Sequence, residues 1–192
     1  MIEAFLQVIA QFAGGILLRF RGSKPTSKLD VVSDFDFDRF QGTWYLAAYI
    51  PPPFQKKLSS ATTQYLRGDN GEIKVINRAY DEKKEKWIVE ETAGRFKDAE
   101  TDGWLIVDTS KPLDENRKII FLNDNYDQAI LVGLTMRTLW ITYRDPHLEK
   151  RELDRFIGRA SDLGFKIRQL VRVDQTHDWR NYSGNTTPTS SA

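Results

Sequence analysis

Two histidines, His147 and His177, and no cysteine stand in a chain of 192 residues. These are the side chains that most often do chemistry near neutral pH, so their number and place come first. Without a thiol there is no cysteine nucleophile, no thiolate metal site, no disulfide framework and no lipid attachment through an N-terminal Cys. His147 falls where a late helix should begin, and His177 falls in a polar tail. Neither is placed to complete a triad. No clustered metal-ligand spacing occurs, and no Gly-rich loop is set to cradle a phosphate. The net charge is +1 with 29% charged residues, so no global field selects nucleic acid or membrane. Basic and aromatic residues do not form a nucleic-acid pattern. No catalytic residue, metal or cofactor is expected, and the chain is not expected to be an enzyme. What remains is apolar. Aromatics make up 12% of the chain, with five Trp, which suits a β-rich core or a cavity for a hydrophobic ligand.

The elements that would position such residues fall between Asp34 and Val173. "FDFDRFQGTWYLAAYIPPPF" leads through one glycine, Gly42, into an alternating run. Asp69-Asn70-Gly71 is a hairpin turn between two further runs. Asp81 to Lys86 makes a charged connection. "GWLIVDTS", "RKIIFLN", "DQAILVGL" and "TLWITYR" are short apolar or alternating runs bounded by Gly, Pro, Asn or Asp. "DEKKEK" and "LDENRK" read as solvated turns. About eight strands in chain order must bury one face and manage their edges, and closure into an up-and-down barrel does both. A helix should follow, with Asp145 as N-cap, Pro146 at the first position, an apolar stripe of Leu153, Phe156, Ile157, Ala160 and Leu163, and Gly164 as the stop. "FKIRQLVRV" supplies one more strand.

Two flanking regions differ in kind. In residues 1–33, Phe5, Leu6, Ile9, Phe12 and Ile16 recur at three- and four-residue steps, and Arg19, Arg21, Lys24 and Lys28 follow. That spacing predicts an amphipathic helix suited to a membrane interface, or to a partner protein, and then a linker. Its uncharged run is shorter than the roughly 20 residues that span a bilayer. Residues 174–192 are polar and Ser/Thr-rich, and are expected to be a disordered tail. Asn181 and Asn185 match glycosylation triplets of a kind common by chance.

Three motifs in order carry a family resemblance over Asp34 to Val173. They are Gly42-x-Trp44 with its lead-in, "NDNYDQAILVG" with Asn123, Tyr126 and Ala129, and "LWITYRDP" ending in Arg144. The chain resembles the lipocalins, most nearly the bacterial lipocalin and apolipoprotein D-like branch. Asn123 stands where that family usually has Asp. The resemblance implies an all-β fold, an eight-stranded antiparallel up-and-down barrel or calyx, with a C-terminal helix and a short ninth strand. It also implies that Trp44 closes the narrow end and that Arg144 packs across the indole while reaching nearby backbone carbonyls. Gly42 permits the tight turn into the first strand.

The cavity lining follows from parity along each strand. Leu46, Ala48 and Ile50 share the side of Trp44, and Trp140 and Thr142 share that of Arg144. Val75, Asn77, Val89, Glu91 and Phe121 are further candidates, with Glu91 or Asn77 able to meet a head group. Phe54, after three prolines, would be an apolar lip at the mouth. The expected function is binding, transport or scavenging of a small hydrophobic ligand such as a fatty acid or lysophospholipid. The protein would be peripheral to a membrane, on its cytoplasmic face or in a periplasm or lumen, and held through residues 1–21. The alternatives are a subunit docked in a larger membrane or pigment–protein complex, and an enzyme acting on a lipid or carotenoid as some lipocalin-like domains do.

Overall fold

The computed structural model describes residues 24–51, 58–108 and 115–181. The proposed N-terminal helix and Phe54 lie outside the described residues. Nine strands form one antiparallel sheet. They are β1 (Gly42–Ile50), β2 (Ser59–Arg67), β3 (Ile73–Asp81), β4 (Lys86–Phe96), β5 (Trp104–Val107), β6 (Glu115–Leu122), β7 (Gln128–Val132), β8 (Leu139–Tyr143) and β9 (Val171–Arg172). Strands β2 to β8 pair in chain order, and β8 pairs with β1. Pairing of β1 with β2, from Gly42 opposite Tyr65 to Tyr45 opposite Thr62, closes the barrel. Among the described residues closure is incomplete toward the other end, where β1 has no β2 partner above Tyr45 and β4 has no β5 partner above Gly94.

The closed end is built by a single-turn helix, α1 (Phe37–Phe40), whose N-cap Asp36 accepts from the N–H groups of Asp38 and Arg39. It buries Phe37 and Phe40, which join Phe35, Trp44 and Tyr65 in an aromatic floor. The rings of Phe40 and Trp44 lie 4.7 Å apart, and those of Phe40 and Tyr65 lie 5.1 Å apart. Gly42 follows with φ +97°, a conformation that costs a residue with a Cβ far more. A Cβ there would also stand 2.9 Å from Nη1 of Arg144.

Outside the barrel, α2 (Lys150–Asp162) lays Leu153, Phe156 and Ala160 on the outer faces of β1, β7 and β8. The helix begins later than expected. Asp145 accepts from the N–H of His147 in a local turn, and Glu149 occupies the cap position. Its end matches expectation. Gly164 takes φ +90° while Gly164 N–H donates to Ser161 O and Phe165 N–H to Ala160 O, a Schellman closure. Leu163, expected in the stripe, is exposed, and Phe165 packs there instead. Among the described residues no helix is long and apolar enough to cross a membrane.

Both flanking boundaries need correction. Residues 174–181, expected to be disordered, pack on the barrel. Strand β1 leaves β2 after Tyr45, and the C-terminal segment fills the gap. Val173 N–H donates to Ala47 O and Ser60 N–H to Asp174 O, and the Gln175 amide donates to the carbonyls of Leu46 and Ala61. These bonds satisfy strand groups that lose their ladder partners there, which is the physical reason a polar tail is ordered. Beyond it His177 stacks on Tyr80 at 3.7 Å. At the other boundary, residues 24–33 are likewise part of the barrel rather than a free linker. Thr26 donates to Gly133 O, and Lys118 Nζ donates to the carbonyls of Thr26 and Leu29.

Candidate ligand-binding site

Pairing register decides which side chains face the interior. On β1 the ladder to β8 slips between Leu46 and Ala48. This bulge reverses the parity of the strand above it. Trp44 and Leu46 face inward, but so does Tyr49, opposite Trp140, whereas Ala48 and Ile50 lie opposite Ile141 and Leu139. Ala48 and Ile50 therefore pack in the seam under α2, not in the cavity. A second slip between Ile119 and Phe121 does the same on β6. Phe121 lies outside, with its ring 5.2 Å from that of Phe156 and under the Arg159 guanidinium.

The remaining sequence candidates divide cleanly. Val75 and Asn77 face inward opposite Tyr65 and Thr63. Val89 and Glu91 pair with Arg78 and Ile76, so both face outward, and Glu91 makes an ion pair with Lys74 at the surface. Their inward neighbour is Glu90, opposite Asn77. Leu46, Trp140 and Thr142 line the interior as expected, together with Trp44, Thr63, Tyr65, Arg117 and Leu131, around a cavity of about 20 Å³. That is room for about one water molecule.

Sequence reasoning missed the polar centre of the site. Glu115 and Arg117, assigned above to a solvated turn, are buried at 7% and 4% side-chain exposure and form an ion pair. Arg117 Nε donates to Glu115 at 2.7 Å, Nη1 to the Tyr65 hydroxyl at 2.7 Å and Nη2 to Asn77 Oδ1 at 3.3 Å. Thr63 also donates to Asn77 Oδ1, which fixes the amide orientation. Asn77 Nδ2 and Thr142 Oγ1 are buried with no hydrogen-bond partner among the described residues. Burial pushes the Glu115 carboxyl up to about 7; Arg117 opposes this and the nearby Glu90 adds to it. Burial also raises the Tyr65 hydroxyl, against the pull of Arg117. A lone Arg two positions from a Glu, at the start of an apolar run, was the only available signal.

Beneath the cavity the expected motif residues meet. The Arg144 guanidinium lies 4.1 Å from the centre of a Trp44 ring, and its N–H groups donate to the carbonyls of Arg39, Phe40, Gln41, Thr43 and Tyr126. Burial brings Arg144 down to about 10, which Asp127 counteracts. Trp44 Nε1 donates to Phe40 O at 2.9 Å. Asn123 accepts from the N–H groups of Asp127 and Gln128, organising the turn before β7. Tyr126, at φ +58° in that turn, accepts from Asp36 N–H and lies under the Arg39 guanidinium. Ala129 is fully buried in the floor cluster.

A family model described as a lipocalin-like domain matches residues 35–175. The outer membrane lipoprotein Blc of Vibrio cholerae serotype O1 is 34% identical over 145 residues, covering 75% of this chain and 85% of that protein. Its counterpart in Escherichia coli K12 is 28% identical over 168 residues, covering 88% and 95%. Among solved structures, insecticyanin from the tobacco hornworm Manduca sexta superposes with a TM-score of 0.61 at 18% identity, covering 76% of this chain and 84% of that one. At that identity the likeness concerns the fold alone.

Proposed function

Given that the chain belongs to the lipocalin-like domain family, we propose that it binds a small hydrophobic ligand in its calyx, for transport or scavenging. A fatty acid or lysophospholipid fits this reading. The observation that carries it is the lipocalin-like barrel, whose inward Leu46, Trp140 and Leu131 stand above a sealed aromatic floor; the cavity of about 20 Å³ between them must widen as a ligand enters. Such a mostly apolar wall with a few placed polar groups is how ligand sites gain affinity and orientation. Leu46, Val75, Asn77, Trp140 and Thr142 are its proposed ligand contacts.

Membrane association is the second part of the proposal. The two Blc proteins named above are outer membrane lipoproteins, and residues 1–21 have the apolar spacing and following basic residues of an interfacial segment. Titration of the full chain with a fluorescent fatty acid tests the binding reading. Saturable binding at one probe per chain is expected. No saturation at concentrations where the probe is monomeric would refute it.

A further inference from the structure

The polarity of the calyx is inverted from what a ligand with its head in water would need. The mouth half of the wall, where β1, β2 and β3 approach their upper ends, is apolar, with Tyr49, Leu58, Ala61 and Ala79 packed beside Leu46. The charged and polar groups lie deep, directly on the aromatic floor. The Tyr65 ring belongs to that floor and its hydroxyl accepts from Arg117. Building on the carrier reading, we propose that the ligand enters head first and that its head is a carboxylate, seated on Arg117, Asn77 and Tyr65, where it replaces Glu115 as the counter-ion of Arg117.

The hydrogen-bond inventory selects an acceptor. Arg117 uses Nε on Glu115 and one N–H of each terminal nitrogen on Tyr65 and Asn77, so each terminal nitrogen keeps a second N–H. Asn77 Nδ2 has both donors unspent, and the Thr142 hydroxyl is unpartnered on the cavity wall. The Tyr65 hydroxyl keeps its own proton to donate. Asn77 Oδ1, in contrast, already accepts twice. The spare donors of Arg117, Asn77 and Thr142 suit a group that accepts, and unmade buried hydrogen bonds of this kind cost stability until one arrives.

Charge balance adds a second consequence. Arg117 faces the Glu115 carboxylate on its own strand and the Tyr65 hydroxyl on β2, and Glu90 from β4 adds its charge beside Glu115. A ligand carboxylate and an ionised Glu115 cannot both be compensated by one guanidinium in a buried site. Binding must therefore take up a proton from solution at this pair of acids. Since Glu115 titrates at about 7, that uptake falls where it can be measured.

The test compares a fluorescent fatty acid with its methyl ester on the full chain at pH 6 and pH 8. The free acid titrates well below this range, so its own charge is constant. The acid should bind about tenfold more tightly at pH 6, the effect of about one proton taken up above the Glu115 midpoint. The ester should bind more weakly and equally at both pH values. In Glu115→Gln the affinity of the acid at pH 8 should rise to its pH 6 level. If that variant does not fold, calorimetry of the wild type in two buffers of different ionisation enthalpy reads the proton uptake directly. Acid and ester binding with the same affinity and the same pH profile would overturn the head-first site and leave the carrier reading standing. Failure of both probes to bind would overturn the carrier reading itself. An alkyl phosphate that outcompetes the acid would replace the carboxylate with a larger anion and refute the choice of head.

Discussion

Trp44→Ala removes the side chain on which the closed end of the barrel depends, and its cost can be worked from the contacts. Trp44 is 1% exposed, and deleting a fully buried Trp costs about 3–5 kcal/mol through lost transfer energy and the cavity left behind. The Arg144 guanidinium then loses the ring face 4.1 Å away, a contact worth up to about 2 kcal/mol where water is excluded. The indole hydrogen bond to Phe40 O is also lost, but that carbonyl keeps Arg144 Nη2 at 2.8 Å, so no buried acceptor is orphaned. The contributions overlap, because the cavity and the cation–π loss share one ring face. About 4–5 kcal/mol is therefore expected, a large share of the stability of a domain this size. Urea unfolding followed by circular dichroism measures it, as a lower midpoint at unchanged m-value. Trp104→Ala is the control. Trp104 lies half-buried on the outside, bonded through Nε1 to Asn116, and should cost about 1–2 kcal/mol. A loss below about 1 kcal/mol for Trp44→Ala, or equal losses for the two variants, would refute the placement of Trp44 as the keystone of the floor.

Three further outcomes are expected. Leu46→Trp should fill the cavity and abolish fatty-acid probe binding at a stability cost of about 1–3 kcal/mol, whereas Ala48→Trp should spare the cavity but wedge β1 from α2 and destabilise more. A folded Ala48→Trp protein that cannot bind the probe would contradict the bulge. Glu115 holds its proton more firmly folded than unfolded, because its carboxyl rises from 4.5 to about 7. Wild-type stability should thus fall as pH climbs from about 4.5 to about 7 and level off above, while Glu115→Gln loses that slope; parallel melting-temperature profiles would count against desolvation outweighing Arg117 at Glu115. Deleting residues 1–21 should leave a soluble, probe-binding barrel that no longer floats with anionic vesicles, and the full chain's flotation should weaken with added salt. A full chain that ignores vesicles but co-migrates with a membrane protein complex would favour the docked-subunit reading.

Local chemistry made the scaffold legible. Gly42, Trp44 and Arg144 each have one demanding task, a positive φ, a large buried ring or a fan of donors, and few residue types can do it. Gly164 announced the helix stop for the same reason. Parity failed where the backbone departs from period two. Nothing in Leu46-Ala47-Ala48 marks the bulge, since two adjacent small residues suit either face, and every assignment above it inverted. In Glu90-Glu91 the two carboxylates are chemically identical, so only the pairing with Asn77 and Ile76 separates the inner from the outer. Glu115 and Arg117 were hidden by a sound prior, that charges between strands are solvated. Their burial is sustained by partners from β2 and β3 that are distant in the chain. The order of residues 174–181 was illegible because it depends on carbonyls of β1 and β2, not on the apolar content of the segment itself.

The central claim is that the barrel interior is a ligand site and not merely a core. Purifying the full chain from its native host without detergent exchange, and extracting it into organic solvent for mass spectrometry, tests this most directly. The account predicts a long-chain lipid recovered at close to one molecule per chain from the wild type and lost from Leu46→Trp. Equal lipid recovery from both proteins, or none from either together with no saturable uptake of added fatty acid, would contradict it.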